Sequence, residues 1–555
     1  MADQQLLTRT TGGDEHAPAV LDAAHIGDIR GALGTIRMED AERRRGIRAR
    51  LLALLAIMGP GLIVMVGDND AGGVSTYSQA GQNYGTSLLW TLVLLIPVLI
   101  VNQEMVVRLG AVTGVGHARL IIERFGRFWG FFSVGDLFLL NFLTIVTEFI
   151  GVSFAGSYFG VTPYISVPIA AVLLVAITVS GNFRRWERAM FVFLGGSLLV
   201  IPLGVLVHAG QGNALHDIAV PGIQGGVSSN SVLLIIAIVG TTVAPWQLFF
   251  QQSNVIDKRI TPRWMGYERA DTVIGAFVVV IGAAIIMIVV AHAFSGTPAA
   301  GQFTDAGGVA AGLAQHVSRT AGAIYALVLL DASIVGASAV TLATSYAFGD
   351  VFGLRHSLHR GWRDAKAFYG SYAGLVAVAA AIVLIPNAPL GVMTTAVQAL
   401  AGILLPSATV FLLLLCNDRA VLGPWCNRPW LNALATIIVG VLLELSAILV
   451  ISTVLPSLDV GTLVVVLSAV LGVALAVGAV VVLTGRLRRV GGAEAAEEAE
   501  TPATDKEEWR MPPLAILERP VWSRGRTLGM YALSAYLVLA VLLLLVKAVE
   551  LATGH

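Results

Sequence analysis

Long apolar stretches, each close to the length that crosses a bilayer as a helix, recur through most of this 555-residue chain. Of its 70 charged side chains, 16 lie in residues 1–50 and 16 in residues 486–526, so the other 464 residues carry only 38. Soluble proteins are about 25% charged, whereas this central region is about 8% charged. Because so few charges leave most of the surface apolar, we expect a bundle of helices that face lipid.

The same composition excludes several functional classes. There is no basic block of the kind that grips nucleic-acid phosphates, and no nucleophile–base motif or phosphate-binding loop. Cys416 and Cys426 form neither a disulfide framework nor a zinc-site spacing, and the polar N-terminus does not resemble a signal peptide. We therefore expect a protein that is not an enzyme, needs no cofactor and binds no nucleic acid.

Apolar runs bounded by polar clusters predict twelve spans and a thirteenth beyond a charged linker. The predicted spans are 51–80, 86–108, 130–158, 164–181, 189–208, 231–254, 271–293, 322–347, 368–386, 392–416, 431–454, 461–484 and 529–549. The predicted domains are a cytoplasmic polar N-terminal tail (1–50), a core of about twelve spans (51–485), a cytoplasmic charged linker (486–527) and an extra C-terminal transmembrane helix (528–555).

Basic residues alternate between the two sides of the predicted bundle. The connections that follow even-numbered spans hold Arg108, Arg119, Arg124, Arg127, Arg184, Arg185, Arg188, Lys258, Arg259, Arg263, Arg269, Arg355, Arg360, Arg363, Lys366, Arg419, Arg428, Arg486, Arg488 and Arg489. The opposite connections offer only Arg319. By the positive-inside rule, even-numbered spans end in the cytoplasm and the N-terminus starts there, as in a multi-pass protein of the plasma membrane.

Two predicted spans are interrupted at corresponding places. Span 1 contains two carboxylates among glycines, from Gly67 through Asp68 and Asp70 to Gly73. Span 6 contains Pro245, which removes a backbone donor and frees a carbonyl about one turn earlier, near Thr241. Interrupted spans in matching places indicate a transporter built from inverted repeats, here spans 1–5 and 6–10, with its site at the midplane.

The charges inside the spans are nearly all acidic. The predicted spans contain Asp68, Asp70, Glu104, Asp136, Glu148, Asp331 and Glu444. The first twelve spans have no lysine or arginine except at their ends. Buried carboxylates without basic partners need protons, water or a bound cation, so the transported species is expected to be positively charged.

The ordered motifs resemble those of the NRAMP divalent-metal transporters from about residue 51 to 455. The matching segments are Gly59-Pro60-Gly61 with Gly67 to Gly73, Gln79 to Trp90, Arg108 to Gly114, Thr147 to Gly151, Val239 to Pro245, and Gln398 with Leu404-Leu405-Pro406. This resemblance implies an all-α LeuT-like fold, with additional C-terminal spans, that moves a metal ion by alternating access between spans 1 and 6.

The resemblance also implies a set of metal ligands. Asp70 matches the family's metal-binding aspartate, Thr241 stands where a backbone carbonyl binds metal, and Gln398 is expected to contribute an amide oxygen or to join helices by hydrogen bonds. Gly73 replaces a metal-binding asparagine and Ala244 replaces a metal-binding methionine, and both changes are expected to widen the cavity. Asp68 is either a second carboxylate ligand or a helix cap.

The proton route of the family is altered in this chain. Trp246 replaces a histidine linked to proton movement and Ile145 replaces an aspartate, although Glu148 is kept, either on a remaining proton or water path or as a structural hydrogen-bond partner. Losing a soft thioether favours a hard cation held by oxygens and water. The chain is most similar to the NRAMP-related magnesium transporters, which implies import of partly hydrated Mg²⁺, possibly also Mn²⁺, without proton coupling.

Three alternatives remain open at this level. The first is a proton-coupled importer of Mn²⁺ or Fe²⁺, in which Asp136 or Glu104 carries protons. The second is a different cation or an amino acid as substrate on the same fold. The third is a membrane receptor. A receptor would usually carry a large soluble domain, and the linker of about 40 residues is too small for one.

Overall fold

The computed structural model describes residues 23–39, 46–208, 213–455, 457–491, 503–517, 520, 527–536, 538–539 and 542. These residues are mostly helical, and the sheet among them is a two-stranded hairpin near the N-terminus. Strand β1 (Ile29–Gly31) pairs antiparallel with strand β2 (Gly34–Ile36), and Ile29 lies opposite Ile36.

The helices up to the middle of the chain are α1 Ile47–Ile57, α2 Pro60–Val66, α3 Ala71–Tyr84, α4 Leu89–Thr113, α5 His117–Phe125, α6 Arg127–Tyr158, α7 Pro163–Thr178, α8 Phe183–Ser197, α9 Val200–Leu206 and α10 Ala214–Ala219. Those that follow are α11 Ser229–Thr242, α12 Pro245–Asp257, α13 Met265–Phe294, α14 Ala306–His316, α15 Arg319–Phe352, α16 Lys366–Val383, α17 Leu390–Cys416, α18 Arg419–Leu422, α19 Pro429–Val454, α20 Val460–Gly491 and α21 Ala503–Glu508. Short 3₁₀ turns occur at Ala23–His25, Gly423–Trp425 and Leu514–Ile516.

Ten spans in the described part of the chain are long and apolar enough to cross a bilayer. The bent pair α1–α2 adds one crossing, and the 16-residue apolar helix α7 occupies the place of the predicted fourth span. This confirms a polytopic all-α protein whose helices match the first twelve predicted spans in order. The predicted thirteenth span lies partly outside the described residues, and residues 527–536 at its start are helical.

The predicted first span is three helices rather than one interrupted helix. Helices α1 and α2 are bent by 56° where they meet at Met58 and Gly59, and Gly59 adopts a φ of 153° that favours glycine. Pro60 then starts α2, because its fixed φ suits the first helical turn and its missing N–H is not needed there. The second break, at residues 67–70, is the one that the glycines and aspartates predicted.

The predicted fifth span begins six residues too late, because α8 starts at Phe183 rather than at 189. The Asn182 side chain accepts a hydrogen bond from the Arg185 N–H at 3.2 Å, which caps the helix ahead of its basic residues. The charged residues that were taken to bound the span therefore form its first turn. The rest of the predicted span continues through α9 after a turn at Leu198 and Leu199.

The N-terminal hairpin packs on the bundle beside the last turns of α1, near Ala56, and the end of α12. Ile29 and Ile36 are buried against α1, and the backbone carbonyl of Ala24 accepts a hydrogen bond from Arg259 at 3.0 Å. We call this end the hairpin side. The alternation that buries both isoleucines lies within the segment that the sequence reading treated as a polar tail.

Three helix pairs set the frame around the two breaks. Helix α6 packs along α15, α3 along α13, and α11 along α17. The two broken segments, α2–α3 and α11–α12, therefore lie side by side in the middle of the bundle, with α6, α15 and α17 supplying the side chains that face them.

Candidate metal centre

The first break leaves the backbone unwound between Gly67 and Asp70. Asp70 caps α3, because its Oδ1 accepts the Gly73 N–H at 2.7 Å. A Cβ on Gly67 would lie 3.3 Å from the Trp246 ring, so the break and the second broken helix approach each other closely. The cap is therefore Asp70, and Asp68 is left free for another role.

The second break separates α11 from α12 at Val243 and Ala244. Ala244 precedes Pro245, which takes the first position of α12. The Thr242 carbonyl accepts a hydrogen bond from the Gln247 side chain at 3.2 Å, whereas the Thr241 hydroxyl is buried without a hydrogen-bond partner. Both broken helices thus end in polar groups that the protein satisfies only in part.

Asp68 has two carboxylate oxygens at the first break, and both lack a hydrogen-bond partner. It is 0% exposed, and neither carboxylate oxygen has a hydrogen-bond partner. Gln247 lies beside it, but that amide donates to Thr242 and accepts from Gln103 at 2.8 Å. A carboxylate buried without donors or a cation is costly, so Asp68 presents two oxygens that can bind a positive ion.

Asp70 and Glu148 meet as a carboxyl pair. Glu148 Oε2 accepts the Ala71 N–H at 3.1 Å, one residue after Asp70, whereas Glu148 Oε1 is buried without a hydrogen-bond partner. Neighbouring buried carboxyl groups are stabilised by a proton or by a bound cation. The pair can therefore bind either one.

Two neighbouring glycines of α3 let these groups come together. A Cβ on Gly72 would overlap the Gln398 amide, and one on Gly73 would lie 2.6 Å from the Asp68 carbonyl and 3.2 Å from Thr241 Oγ1. In this conformation backbone and hydroxyl atoms lie where a side chain at position 73 would be, and the widening expected from Gly73 stays a prediction. Glycine is needed there because the two breaks are packed together.

Gly336 on α15 is a site residue that the sequence reading missed. A Cβ at this position would lie 2.6 Å from Glu148 Oε2 and 2.7 Å from the Asp70 Cβ. A glycine inside a long apolar helix was the available signal, but nothing in the sequence indicated which carboxyl groups it admits. Gln103 and Gln247 were missed for the same reason.

The altered proton-route positions lie beside the centre and carry no titratable group. Ile145 is buried on α6 three residues before Glu148. Trp246 is fully buried, packs edge-on against Phe250 at 5.9 Å, and fills the space next to Gly67. Ala244 caps α12 with a small apolar side chain and supplies no ligand atom.

Of the other carboxylates in the predicted spans, Glu104, Asp331 and Glu444 have partners away from the breaks, whereas Asp136 lines a small cavity together with Pro245 at the second break. Glu104 forms ion pairs with Arg108 at 3.1 Å and Arg269 at 2.5 Å. Asp136 faces Ser407 at 3.4 Å beside a cavity of about 10 Å³, and Asp331 accepts from Ser197 at 2.9 Å. Glu444 accepts from the Ser468 hydroxyl at 2.5 Å.

The predicted ligands Asp68, Asp70, Thr241 and Gln398 are thus brought to one place by the two breaks. Within the described ranges, no three acidic, histidine or cysteine side chains converge as a metal cluster. A metal held here would take a mixed set of carboxylate, amide, hydroxyl and backbone oxygens, completed by water. The molecule is a multi-spanning membrane protein with a buried polar site between two broken helices.

Within this class of membrane protein, similarity to known proteins shows the family. Residues 61–452 match the family model "Natural resistance-associated macrophage protein-like", so the chain belongs to the Nramp family. The divalent metal cation transporter MntH of Staphylococcus aureus is 24% identical over 423 residues, which cover 72% of this chain and 91% of that protein. MntH of Aeromonas hydrophila is 25% identical over 415 residues, which cover 72% of this chain and 96% of that protein.

Solved structures agree on the fold. The manganese transporter of Eremococcus coleocola, in complex with an aromatic bis-isothiourea substituted compound, superposes with a TM-score of 0.61 and 20% identity. The alignment covers 81% of this chain and 99% of that chain. The LeuT-like architecture predicted from the motifs is thereby confirmed.

Proposed function

We propose that this chain is a divalent metal cation transporter that imports partly hydrated Mg²⁺, and also Mn²⁺, by alternating access through the centre between the two breaks. One observation carries the proposal. Asp68 is fully buried with both oxygens unpartnered, two residues from Asp70, at a place where two helices expose backbone. A divalent cation neutralises this arrangement, and no lysine or arginine is among the side chains described at the centre.

The donor set supports Mg²⁺ as the first cargo. Asp68, Asp70 and Thr241 offer oxygens, the Gln398 amide lies beside Gly72 with its Nε2 nearest, and Ala244 offers no thioether. Mg²⁺ is a hard cation that is bound by one or two carboxylates while it keeps several waters, whereas thioethers favour softer metals. The centre therefore lacks the ligand that would favour Mn²⁺ or Fe²⁺ over Mg²⁺.

Uncoupled transport follows from the side chains at positions 145 and 246. Neither Ile145 nor Trp246 can carry a proton, so the membrane potential would drive uptake. For a doubly charged ion this contributes about 4.6 kcal/mol per 100 mV. In this proposal the protein lies in the plasma membrane with the hairpin side toward the cytoplasm, in line with the basic connections after even-numbered spans.

A proton-coupled Mn²⁺ or Fe²⁺ importer is the second candidate. It is favoured by the Asp70–Glu148 carboxyl pair, in which Glu148 Oε1 is buried without a hydrogen-bond partner and can hold a proton. It is also favoured by the names of the relatives, which are divalent metal and manganese transporters.

Uptake into liposomes with an internal pH dye separates the two candidates. We expect Mg²⁺ uptake without internal acidification, and loss of uptake in Asp70→Ser, which keeps a capping oxygen but removes the carboxylate. Glu123→Ala is the matched control, because Glu123 only pairs with Arg119 on α5. Acidification of the liposome interior during Mn²⁺ uptake would favour the second candidate. Our proposal would be refuted if the wild type took up no Mg²⁺, or if Asp70→Ser took up Mg²⁺ as well as the wild type does.

A different substrate class on the same fold makes a separate prediction. If the cargo were an organic cation or an amino acid, calorimetry of the purified protein would show no binding of Mg²⁺ or Mn²⁺. Binding of either ion that is lost in Asp70→Ser would exclude that alternative.

A further inference from the structure

Two connections that are rich in arginine lie on the hairpin side of the molecule. The first joins α7 to α8, and Arg188 on α8 donates to the Ala32 carbonyl of the hairpin at 3.3 Å. The second leads into α16, and His359 Nε2 lies 2.9 Å from the Asp257 carbonyl oxygen at the end of α12. Both connections are therefore held at the same end of the bundle.

The two connections are in direct contact. A Cβ on Gly181 would lie 3.1 Å from Gly361 Cα and 3.2 Å from the Arg360 carbonyl oxygen. That carbonyl accepts the Tyr369 hydroxyl of α16 at 2.6 Å, and the exposed Trp362 ring stacks on Tyr369 at 6.2 Å. Tryptophan and tyrosine are enriched where a protein meets the membrane–water interface, so this contact is placed at the height of lipid headgroups.

The side chains of the two connections form a basic cluster, which comprises Arg184, Arg185, Arg360, Arg363 and Lys366. Residues 179–186 and 355–366 contain one acidic residue, Asp364. Within the described part of the chain, no carboxylate lies within ion-pair distance of Arg184, Arg185, Arg363 or Lys366. Arg184 Nε is also buried without an acceptor. The basic cluster therefore has an excess of positive charge and at least one donor available to an anion.

An apolar groove begins next to the basic cluster. It lies between α7 and α16, which pack along each other, and has a volume of about 520 Å³. Along α7 it extends from Ala171 to Ser180, the residue before the Gly181 turn, and along α16 it includes Ala373 and Ala377. At 1.5 Å per residue, the helical part of this stretch of α7 is about 12 Å long. One leaflet contributes roughly 15 Å of hydrocarbon, so the groove has the length of a single leaflet.

Positive charge at one end of an apolar groove matches one kind of membrane component. We propose that the groove between α7 and α16 binds an anionic phospholipid, with an acyl chain along the groove and the phosphate at the basic cluster. Arginine binds phosphate through paired N–H···O hydrogen bonds, and basic pockets between transmembrane helices favour acidic headgroups. A phosphatidylcholine could fill the same groove, but its own cationic group would be repelled by the basic cluster.

This lipid site is separate from the candidate metal centre, to which neither α7 nor α16 supplies a residue. It does not depend on the cargo, on proton coupling or on which side of the membrane the hairpin faces. The bound lipid adds contacts between α7 and α16 along the part of their length where a groove separates them. It is therefore expected to stabilise the folded protein whether or not metal is present.

Native mass spectrometry of the full chain, with equal amounts of phosphatidylglycerol and phosphatidylcholine of the same acyl chains, tests the headgroup. The wild type should retain phosphatidylglycerol in preference, and Arg185→Gln/Arg363→Gln should reduce this preference at least about tenfold, because two charged groups at the phosphate are lost. Both arginines are exposed, so the variant should fold. Arg48→Gln/Arg50→Gln is the matched control, because it removes the same charge from α1, which packs on the hairpin and α13.

Two results of this experiment would overturn the proposal. One is equal retention of the two lipids by the wild type, which would show that only acyl chains bind. The other is an equal loss of preference in the test and control variants, or no loss in either, which would show that the basic cluster has no special role.

A second variant tests the groove itself. Ala377→Trp places a large ring in the groove at an exposed position of α16, and it should lose bound phosphatidylglycerol although the basic cluster is intact. Val378→Trp is the control, since Val378 is the next residue, is 52% exposed and does not line the groove. Undiminished retention by Ala377→Trp would show that the lipid lies on the basic surface alone, and the proposal would fail.

Inorganic phosphate distinguishes a lipid site from a site for a soluble anion. Phosphatidylglycerol should raise the midpoint of thermal unfolding of the wild type, and inorganic phosphate should not. An equal rise with inorganic phosphate would overturn the lipid assignment. None of these measurements involves transport, so a failure of metal uptake would count against the proposed function and leave the lipid site standing.

Discussion

Asp68→Asn should make the metal-free protein more stable while it abolishes stabilisation by metal. In the structure, Asp68 is 0% exposed and neither oxygen accepts a hydrogen bond, so its charge is uncompensated in the empty site. Leaving a buried polar group unsatisfied costs about 1–3 kcal/mol, and more for a charged group. Neutralising this side chain without changing its shape should therefore raise the free energy of unfolding of the metal-free protein by at least about 1 kcal/mol.

The metal-bound state should respond in the opposite direction. A ligand present at 100 times its dissociation constant stabilises a protein by about 2.7 kcal/mol. If Asp68 binds the cation, Asp68→Asn should lose most of this increment for Mg²⁺. A residue with a purely structural role cannot give this pair of opposite effects, because removing a structural contact lowers stability with and without metal.

Thermal unfolding in detergent, with chelator or with excess Mg²⁺, measures both effects. Asp459→Asn is the matched control, since Asp459 is a cap on α20 that accepts the Thr462 N–H at 2.7 Å and keeps an oxygen in the variant. The control should behave like the wild type in both conditions. A lower midpoint of Asp68→Asn in chelator, or an undiminished shift with Mg²⁺, would refute the reasoning.

Ala244→Met introduces a thioether and should raise the ratio of Mn²⁺ uptake to Mg²⁺ uptake. Ala244→Leu, which has a similar volume without sulfur, should leave this ratio unchanged. Equal ratios in the two variants would argue that position 244 does not supply a metal ligand. Gly336→Ala should abolish metal uptake while the protein still folds, because the added Cβ would collide with Asp70 and Glu148. Gly370→Ala is the control, since a Cβ there meets nothing within 4 Å. Normal uptake by Gly336→Ala would contradict the close packing at Gly336. Burial lowers the pKa of His356, but its bond to Asp350 at 3.1 Å outweighs this and sets the pKa above the ordinary value. The His356–Asp350 ion pair stabilises the folded protein fully below about pH 6.5 and less as the pH rises. Asp350→Asn should therefore lower the midpoint of thermal unfolding more at about pH 6 than at about pH 8.5. An equal reduction at both pH values would show that the ion pair contributes nothing to stability.

The fold was largely predictable because a bilayer leaves few choices. Apolar runs of helical length, bounded by charges, must become helices that satisfy their own backbone, and the observed helices follow the first twelve predicted spans in order. The boundaries were less predictable, as at Asn182, where a side-chain cap outweighed the charges that follow it. The hairpin at residues 29–36 escaped prediction because two short strands gain their burial from contact with α1 and α8, which lie elsewhere in the chain.

The candidate centre was predictable in its location and less so in its construction. Carboxylates among glycines marked the first break, and Pro245 marked the second. The capping role fell to Asp70 rather than Asp68, which depends on the direction in which the chain leaves the break. The roles of Gly72 and Gly336 depend on how closely α17 and α15 approach, which no local pattern records.

Local chemistry in the chain was therefore enough to fix the membrane class, the order of the helices and the two points at which helices must break, because each follows from apolar length, glycine, proline and charge over a few residues. The packing of distant helices settled which oxygens lack partners, as at Asp68, which lies near an amide already engaged by Gln103. An unsatisfied group is a property of everything that surrounds it. Its discovery required the folded arrangement.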